Sequence, residues 1–253
     1  LSGESPERLA VRRQAKTQFD QTPWPTKEDE AWRRTDLSGL ELDRYSLAPA
    51  SDKASDDLPL AFKDFVDPED ALVLWGPDGL HRRVSHATEA KGIVFQSLAD
   101  AWRRRPELVE PHLARVVSPS NGKFAALSAA FWNRGIFVYI PQGVDAGVVL
   151  RGGYAPSLAD GQASVSRTLI VAEAGSRVTF MEDYAATGPD GDGRALSVAG
   201  VEIVAGENAH VTYVNFQRQG RTVHHFLNQN ARLARDARLT TLAPALGGGI
   251  SRA

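Results

Sequence analysis

The chain has 253 residues, 42% of them hydrophobic and 8% aromatic, which is enough to bury the core of one large domain or two modest ones. Its 29 basic and 31 acidic residues give a formal net charge of -2, so no charge excess favours nucleic acid or an anionic membrane as a partner. The lack of any cysteine excludes disulfides, thiolate catalysis and cysteine-ligated zinc or iron-sulfur sites within this chain. We expect a soluble, cytoplasmic protein, since the apolar run 135–140 is far shorter than the roughly 20 residues of a membrane helix.

Charged residues are concentrated in the first half of the chain. Residues 1–126 hold 18 basic and 21 acidic residues, residues 127–253 hold 11 and 10, and no lysine follows Lys123. Helices with solvated faces carry more charge than the strands of closed β architectures. The distribution therefore predicts a helical or mixed N-terminal region, 1–126, followed by a β region, 127–253.

Several elements of the N-terminal region can be predicted from local signals. Pro6 stands at the first position of a helix whose body, Leu9–Phe19, is rich in helix formers. Thr26–Asp29 resembles a capping box and predicts a second, short helix. The apolar run Ala71–Trp75 predicts a strand, and residues 97–116, interrupted by two prolines, predict two short helices.

The second half contains a weak internal repeat. In each copy an apolar residue is followed after three residues by a corner position and after five more by a second apolar residue, and the copies are 30, 33 and 28 residues apart. The copies are Ile140, Gly143 and Val148; Ile170, Glu173 and Val178; Ile203, Gly206 and Val211; and Ala231, Ala234 and Leu239.

Aligning the last three copies produces columns of similar residues. The columns are Arg177, His210 and Arg238; Val178, Val211 and Leu239; and Thr179, Thr212 and Thr240. Because side chains alternate between the two faces of a strand, such columns are typical of parallel strands stacked in register about 4.8 Å apart. Repeats of this length without crossover helices predict a β-solenoid. A β-sandwich with similarly spaced turns is the competing fold.

The segments between the predicted strands fit the same architecture. Residues 206–208 (Gly-Glu-Asn) are interpreted as a corner of one turn, because Gly and Asn tolerate positive φ. Residues 187–194 are interpreted as a loop that leaves the stack between two turns. The sequence begins at Leu1 and its copies stop at Ala253 without a cap, so we expect a native start upstream and either more chain or another subunit at the far end.

No catalytic motif is present in its required context, including the phosphate-binding loop, the nucleophile elbow and the paired-histidine zinc motif. His224 and His225 are neighbours on a predicted strand and face opposite sides, so we expect one packed and one surface histidine rather than a metal site. The same objection applies to Glu182 and Asp183 as an acid and base pair, and we interpret them as a solvated rim.

One column of residues is a candidate site. Arg177, His210 and Arg238 form either a charged stripe facing solvent or, where the column lines a subunit contact, an anion-binding or ion-pairing stripe. We name these three residues the basic column. No residue is assigned as catalytic, cofactor-binding or metal-ligating.

Three segments resemble a known family. Residues 22–37 match the pattern P-T-x-x-x-E-x-W-R-x-T-D-L through Pro25, Thr26, Glu30, Trp32, Arg33, Thr35, Asp36 and Leu37. Residues 124–144 carry Gly135 and Ile140-Pro141-x-Gly143, and residues 201–217 add a third stretch. Together they resemble the SufB/SufD family of the SufBCD iron-sulfur cluster assembly complex, and its SufD branch in particular, over nearly the whole chain.

The resemblance implies a right-handed parallel β-helix behind an N-terminal helical region. It also implies pairing with a SufB-like paralogue and contact with a SufC-like ATPase through a C-terminal segment that is absent from this sequence. The SufB branch keeps cysteines used in cluster assembly, so their absence favours the SufD branch. The cluster would be handled by the complex, and no cluster ligand is carried over onto this chain.

These observations lead to a hypothesis of a non-enzymatic scaffold subunit in iron-sulfur cluster biogenesis. A carbohydrate-active β-helix enzyme, a polysaccharide lyase or hydrolase, is an alternative. It requires acidic residues or a calcium site along one groove, and the 10 acidic residues after position 126 form no recurrent column. A purely structural homo-oligomer, such as a homodimer, is the third hypothesis.

Overall fold

The computed structural model describes residue 4 and residues 6–189 and 191–252. The helices are α1 (Pro6–Gln21), α2 (His86–Ala90), α3 (Leu98–Arg104), α4 (Pro106–Val109) and α5 (Lys123–Phe131). The first strands are β1 (Ser46–Leu47), β2 (Ala71–Trp75), β3 (Leu80–Arg83), β4 (Val94–Ser97), β5 (Arg134–Ile140) and β6 (Asp145–Tyr154). They are followed by β7 (Gln162–Ala172), β8 (Arg177–Tyr184), β9 (Ala195–Ala205), β10 (His210–Gln217), β11 (Val223–Leu233), β12 (Arg238–Leu242) and β13 (Ile250–Arg252).

The predictions for the N-terminal region are confirmed with one exception. Helix α1 begins at Pro6, strand β2 has the predicted bounds, and α3 and α4 are the two short helices expected around Pro106. The short helix expected at Thr26–Asp29 is wrong, because this segment forms hydrogen-bonded turns instead. The carboxylate of Asp29 accepts a hydrogen bond from the Thr26 backbone N–H at 2.7 Å, which is one contact of the predicted capping box, but the turns that follow it do not continue into a helix.

The strands form two sheets, in which all the strands from β5 onward pair with one another in parallel. Sheet A has the order β13-β11-β9-β7-β5-β4, and sheet B has the order β12-β10-β8-β6-β2-β3. Consecutive strands of the chain from β5 onward alternate between the sheets, so each pair makes one turn of a parallel β-helix. This confirms the predicted solenoid and excludes the β-sandwich, whose neighbouring strands would be antiparallel.

The first turn of the β-helix is closed by strands from the N-terminal region. β4 pairs antiparallel with β5 in sheet A, and β2 pairs parallel with β6 in sheet B, where the hairpin partner β3 forms the edge. The unpaired backbone groups of the first turn are therefore satisfied within the chain.

The predicted columns are confirmed by the register of sheet B. His210 pairs with both Arg177 and Arg238, and Thr212 pairs with both Thr179 and Thr240. In sheet A, Ile203 likewise pairs with both Ile170 and Ala231.

The first copy of the repeat is the exception. Ile170 pairs with Val138 rather than with Ile140, so the true step in sheet A is two residues longer than the spacing predicts. Sheet B contains the compensating irregularity. Asp145 and Val149 are four residues apart on β6, but their partners on β8 are only two residues apart. A β-bulge of two residues therefore restores the register that the simple spacing assumed.

The corner that links each strand of sheet A to sheet B is stacked along the β-helix. Gly143, Gly175, Asn208 and Asp236 take positive φ of 70°, 69°, 56° and 57° at equivalent corner positions. Asn208 is thus the residue that supplies the left-handed conformation in the predicted corner. Gly206 is required for a different reason, because a Cβ there would lie 2.6 Å from the backbone nitrogen of Ala174.

The outer face of sheet A is covered by the helical layer. Phe124 of α5 stacks on Phe226 of β11 with ring centroids 4.0 Å apart, and Trp32 stacks on Phe124 at 5.4 Å. Trp102 and Trp132 form a second stacked pair at 6.2 Å. Aromatic burial of this kind gives the largest apolar area per residue, so it anchors the N-terminal region on the β-helix. Of the described helices, none is long and apolar enough to cross a membrane.

Candidate functional site

The basic column runs across the outer face of sheet B, where its members are the first residues of β8, β10 and β12. Arg177 and Arg238 are exposed and His210 is half-buried, and backbone pairing places the three side chains on successive turns. Within the described part of the chain neither arginine forms an ion pair, although Asp145 is the register partner of Arg177. The guanidinium groups of Arg177 and Arg238 are therefore not engaged in an ion pair with any of the described residues.

An open cavity of about 400 Å³ lies beside the basic column. It arises where the bulge of β6 departs from β8, and Lys91 holds the bulge by donating to the backbone carbonyls of Asp145 and Ala146 at 3.1 and 2.8 Å. Its lining combines the bulge, two members of the basic column and two threonines: Asp145, Ala146, Gly147, Val148, Val149, Arg177, Val178, Thr179, His210 and Thr212. Guanidinium, imidazole and hydroxyl donors in one cavity suit a carboxylate or another oxyanion.

Glu182 and Asp183 face opposite sides of sheet B, as predicted, but the solvated rim is wrong because both are buried. Asp183 points outward and receives three hydrogen bonds of 2.8 to 3.0 Å from the guanidinium of Arg218. Arg218 also donates to the carbonyl of Ala61 and lies over the ring of Phe65 at 3.9 Å. A short N-terminal segment covers this position, which sequence spacing alone does not reveal.

Glu182 points into the interior of the β-helix, which we call the bore. Tyr213 donates to its carboxylate at 2.5 Å, Thr168 donates to the other oxygen, and Asn215 donates to the Tyr213 hydroxyl at 2.9 Å. Burial raises the pKa of Glu182 to about 7, against the lowering effect of these hydrogen bonds. The carboxyl therefore titrates near neutral pH, with no basic side chain among its hydrogen-bond partners.

The adjacent histidines face opposite sides of the strand, as expected, although the outer one, His224, is only partly exposed. His225 is 1% exposed inside the bore, whereas His224 is half-buried on the outer face. The His225 Nδ1 atom lies 2.8 Å from Gln219 Nε2 and 3.0 Å from Ser197 Oγ. An amide nitrogen only donates, so Nδ1 is the acceptor and the proton of the neutral ring is on Nε2.

This arrangement makes His225 a histidine that stays neutral. Burial lowers its pKa to about 3, because the charged ring would lose its hydration without a counter-ion. In a pH titration followed by ¹⁵N and ¹³C NMR, we expect the His225 ring to show the Nε2–H tautomer from pH 8 down to about pH 4. Protonation of His225 with a midpoint above pH 5 would contradict the assignment.

A fully buried group of polar contacts joins the β-helix to the N-terminal region. Arg167 of β7 and Glu202 of β9 form a 2.7 Å ion pair, and both side chains are fully buried on the outer face of sheet A. The Glu202 carboxylate also accepts from the backbone N–H groups of Ala114, Val116 and Val117 at 2.8, 2.8 and 3.0 Å. We name these contacts the Glu202 clamp.

The Glu202 clamp was not predicted, although a signal for it exists. Arg167 and Glu202 are the only charged residues in two otherwise uncharged neighbouring strands. A lone charge in a strand that is buried on both faces needs a partner, because burial of an unpaired charge is very costly. The clamp holds structure together rather than forming a reaction site.

The described residues offer no set of ligands for a metal. No group of three or more His, Asp or Glu side chains among residues 6–189 and 191–252 is arranged to hold an ion. The two carboxyls of residues 182 and 183 lie on opposite sides of one sheet, so they cannot act together on one bond as carbohydrate chemistry requires.

Fold and site together define a class of protein, a parallel β-helix in which buried charged residues attach the N-terminal region to the sheets. The arginines of the basic column lie exposed on the outer face of sheet B. The SufBD N-terminal region model matches residues 3–150, and the SufBD core domain model of SUF-system iron-sulfur cluster assembly matches residues 156–253. The chain therefore belongs to the SufBD family of iron-sulfur cluster assembly proteins. The family resemblance found in the sequence is confirmed at this level.

Curated relatives carry the same family name. An iron-sulfur cluster assembly SufBD family protein of Staphylococcus epidermidis is 29% identical over 209 residues, covering 77% of this chain and 44% of the relative. One of Staphylococcus saprophyticus is 28% identical over 242 residues, covering 89% of this chain and 50% of the relative. One of Staphylococcus aureus is 30% identical over 150 residues, covering 59% and 32%. The chain spans half or less of the length of these relatives.

Proposed function

We propose that the chain is a SufD-type, non-catalytic scaffold subunit that acts in a cytoplasmic iron-sulfur cluster assembly complex. The observation that supports this most is the absence of cysteine from a member of an iron-sulfur assembly family. Thiolates are the usual protein ligands of iron-sulfur clusters, so these residues supply none of them. The contribution of the chain is then to position a partner that holds the cluster.

The proposed partners are a SufB-like paralogue and a SufC-like ATPase. A rigid β-helix suits a scaffold because its stacked turns transmit position along one axis with little internal freedom. The N-terminal layer adds to this rigidity through the Glu202 clamp, which bonds it to the outer face of sheet A. ATP hydrolysis and cluster chemistry would be performed by the partners.

Co-purification tests the proposed complex. The full-length protein, expressed from its native locus with an affinity tag, is expected to recover a SufB-like protein and a SufC-like ATPase in fixed ratio. Recovery of the folded protein alone, or of copies of itself only, would contradict the scaffold role and favour the structural homo-oligomer. Turnover of a polygalacturonate-type substrate would favour the carbohydrate-active enzyme.

The basic column is the part of the partner surface that we propose from this chain. Arg177→Glu is expected to weaken partner binding about tenfold, because a repulsive charge replaces a cation at the interface. The melting temperature should stay nearly unchanged, since Arg177 is exposed and makes no ion pair within the described residues. Binding by the purified partner, measured by isothermal titration calorimetry, and melting by calorimetry give the two readouts.

Arg221→Glu is the matched control for this experiment. Arg221 is also an exposed arginine, and it lies at the opposite corner of the β-helix, after β10 rather than before it. The control should bind the partner like the unmodified protein. Equal loss of binding in both variants would show a non-specific charge effect, and a large loss of stability in Arg177→Glu with normal binding would reject the interface role.

A further inference from the structure

The outer face of sheet B carries three rows of side chains at the end of the strands where the basic column lies. Val178, Val211 and Leu239 pack in the bore, so every second residue from Arg177, His210 and Arg238 onward points outward. Beside the basic column lie a threonine row (Thr179, Thr212 and Thr240) and an apolar row (Met181, Val214 and Leu242). All nine side chains are exposed or half-buried. We name the three rows together the three-row face.

A segment of the N-terminal region bounds the three-row face beyond the apolar row. Asp183 is the next outward residue of β8, and it is buried under Arg218 and the segment that carries Phe65. The helical layer covers the outer face of sheet A, whereas the apolar row of sheet B ends in Leu242, which is 59% exposed. Apolar side chains exposed beside cationic ones indicate a surface that contacts another chain.

The charge of the three-row face indicates the charge of its partner. Neither Arg177 nor Arg238 forms an ion pair with a described residue, and none of the nine side chains is acidic. Asp145 is the register partner of Arg177, but its carboxylate accepts a hydrogen bond from the Gly147 backbone N–H at 2.9 Å. Carboxylates of a partner would therefore supply the charge-assisted hydrogen bonds that the two guanidinium groups can make.

The size of the three-row face suits one secondary-structure element. Turns about 4.8 Å apart make each row about 9.6 Å long, and outward residues repeat about every 6.7 Å along a strand, so the outer rows are about 13 Å apart. Even with the margins of the side chains, this is far smaller than the roughly 800 Å² that each partner buries in a standard interface. An α-helix, about 10–12 Å across with its side chains, covers it.

The spacing within the basic column favours a helix over an extended segment that runs along the same axis. Positions i and i+7 of a helix lie on one face about 10.5 Å apart, close to the roughly 9.6 Å between the turns of Arg177 and Arg238. Position i+3 or i+4 then lies opposite His210. Side chains on one face of an extended segment repeat about every 6.7 Å and do not match turns about 4.8 Å apart.

We propose that the three-row face is the docking site for an acidic amphipathic helix of a partner protein. The proposal rests on the proposed function, in which the basic column belongs to the partner surface. The helix lies over the threonine row, with carboxylates at i, i+3 or i+4, and i+7 toward the basic column and apolar side chains toward Met181, Val214 and Leu242. The cavity at the β6 bulge, lined by Arg177 and His210, receives the carboxylate nearest that bulge.

Site-specific photo-crosslinking tests the docking site. A benzophenone amino acid replaces Leu242 in the full-length protein expressed from its native locus, and cross-linked peptides are identified by mass spectrometry. We expect cross-links to a segment of another protein with Asp or Glu at i, i+3 or i+4, and i+7 and apolar residues on the adjacent flank. Leu246, a 69% exposed leucine outside the three rows, is the matched control position and should not cross-link to that segment. Cross-links from Leu242 to a basic or extended segment, or to no other protein, would overturn the proposal.

Charge reversal provides the second test. Arg238→Glu is expected to lower the affinity of the purified partner about tenfold, and replacing the carboxylate opposite it by lysine should restore most of this loss, because the double change isolates one pairwise contact.

The docking site and the scaffold role can fail separately. If the complex is recovered but Arg238→Glu binds the partner normally, the docking site is overturned and the scaffold role stands. If no complex is recovered while Leu242 still cross-links to an acidic helix, the docking site stands and the scaffold role fails.

Discussion

Glu202→Ala is expected to lower the free energy of unfolding by about 3–5 kcal/mol, because it leaves a buried guanidinium and three backbone N–H groups without their acceptor. Arg167 would keep only its bonds to the carbonyl of Val117 and to Ser128 Oγ. The segment 114–117 would then lose its attachment to sheet A. The loss should appear as a lower midpoint in urea and as earlier hydrogen exchange of these three amides.

Glu207→Ala is the control for the Glu202 clamp. Glu207 lies one corner further along the chain, where its carboxylate pairs with Arg235 at 3.2 Å in an exposed ion pair. Exposed pairs of this kind contribute about 0–1 kcal/mol, so this variant should unfold almost like the unmodified protein. A Glu202→Ala variant within 1 kcal/mol of the control would show that the clamp does not hold the two layers together.

Glu182→Gln is expected to change how stability depends on pH. The pKa of Glu182 is about 7 in the folded protein and 4.5 ordinarily, so the folded state binds the proton more tightly. Folding gains this contribution fully below about pH 4.5 and loses it as the pH rises through about 7. The difference between the two pKa values corresponds to about 3 kcal/mol of stability that the unmodified protein loses as the pH rises. Gln is neutral at every pH, so the variant does not lose it.

The measurement is urea unfolding of both proteins between pH 5 and pH 8.5. The variant should be more stable than the unmodified protein above pH 7 and nearly equal to it at pH 5, because the protonated carboxyl and the amide are similar in shape and charge. Glu69→Gln, at an exposed position, should follow the unmodified protein at every pH. A pH dependence that is the same in Glu182→Gln as in the unmodified protein would show that this carboxyl is solvated when ionised.

The stacking of the β-helix could be predicted from the sequence because it repeats the same local rule. Arg177, His210 and Arg238 occupy one column in the alignment and one register row in sheet B. The first copy was misaligned in sheet A because spacing counts residues and cannot distinguish a straight strand from a bulged one. The two extra residues between Asp145 and Val149 shift that copy and also open the cavity beside the basic column.

Burial of charge was the feature that local patterns did not resolve. Glu182 and Asp183 have the alternating faces that the strand pattern predicts, yet both are covered. Alternation along a strand assigns a side chain to a face, but it does not say which other segment lies against that face. Asp183 is covered from outside by Arg218 and the segment around Phe65, which is more than a hundred residues away in the chain.

The sequence by itself determined the family, the parallel stacking and the position of the basic column, because residue type and spacing act on nearest neighbours along a repeating chain. The tertiary structure alone decided which charges are buried and what they bind, as the Glu202 clamp and the Glu182 carboxyl show. The physical reason is that burial depends on contacts between distant segments. Burial changes the solvation energy of a charged group. Its shifted pKa and its contribution to stability therefore exist only in the folded protein, where the layers are in contact.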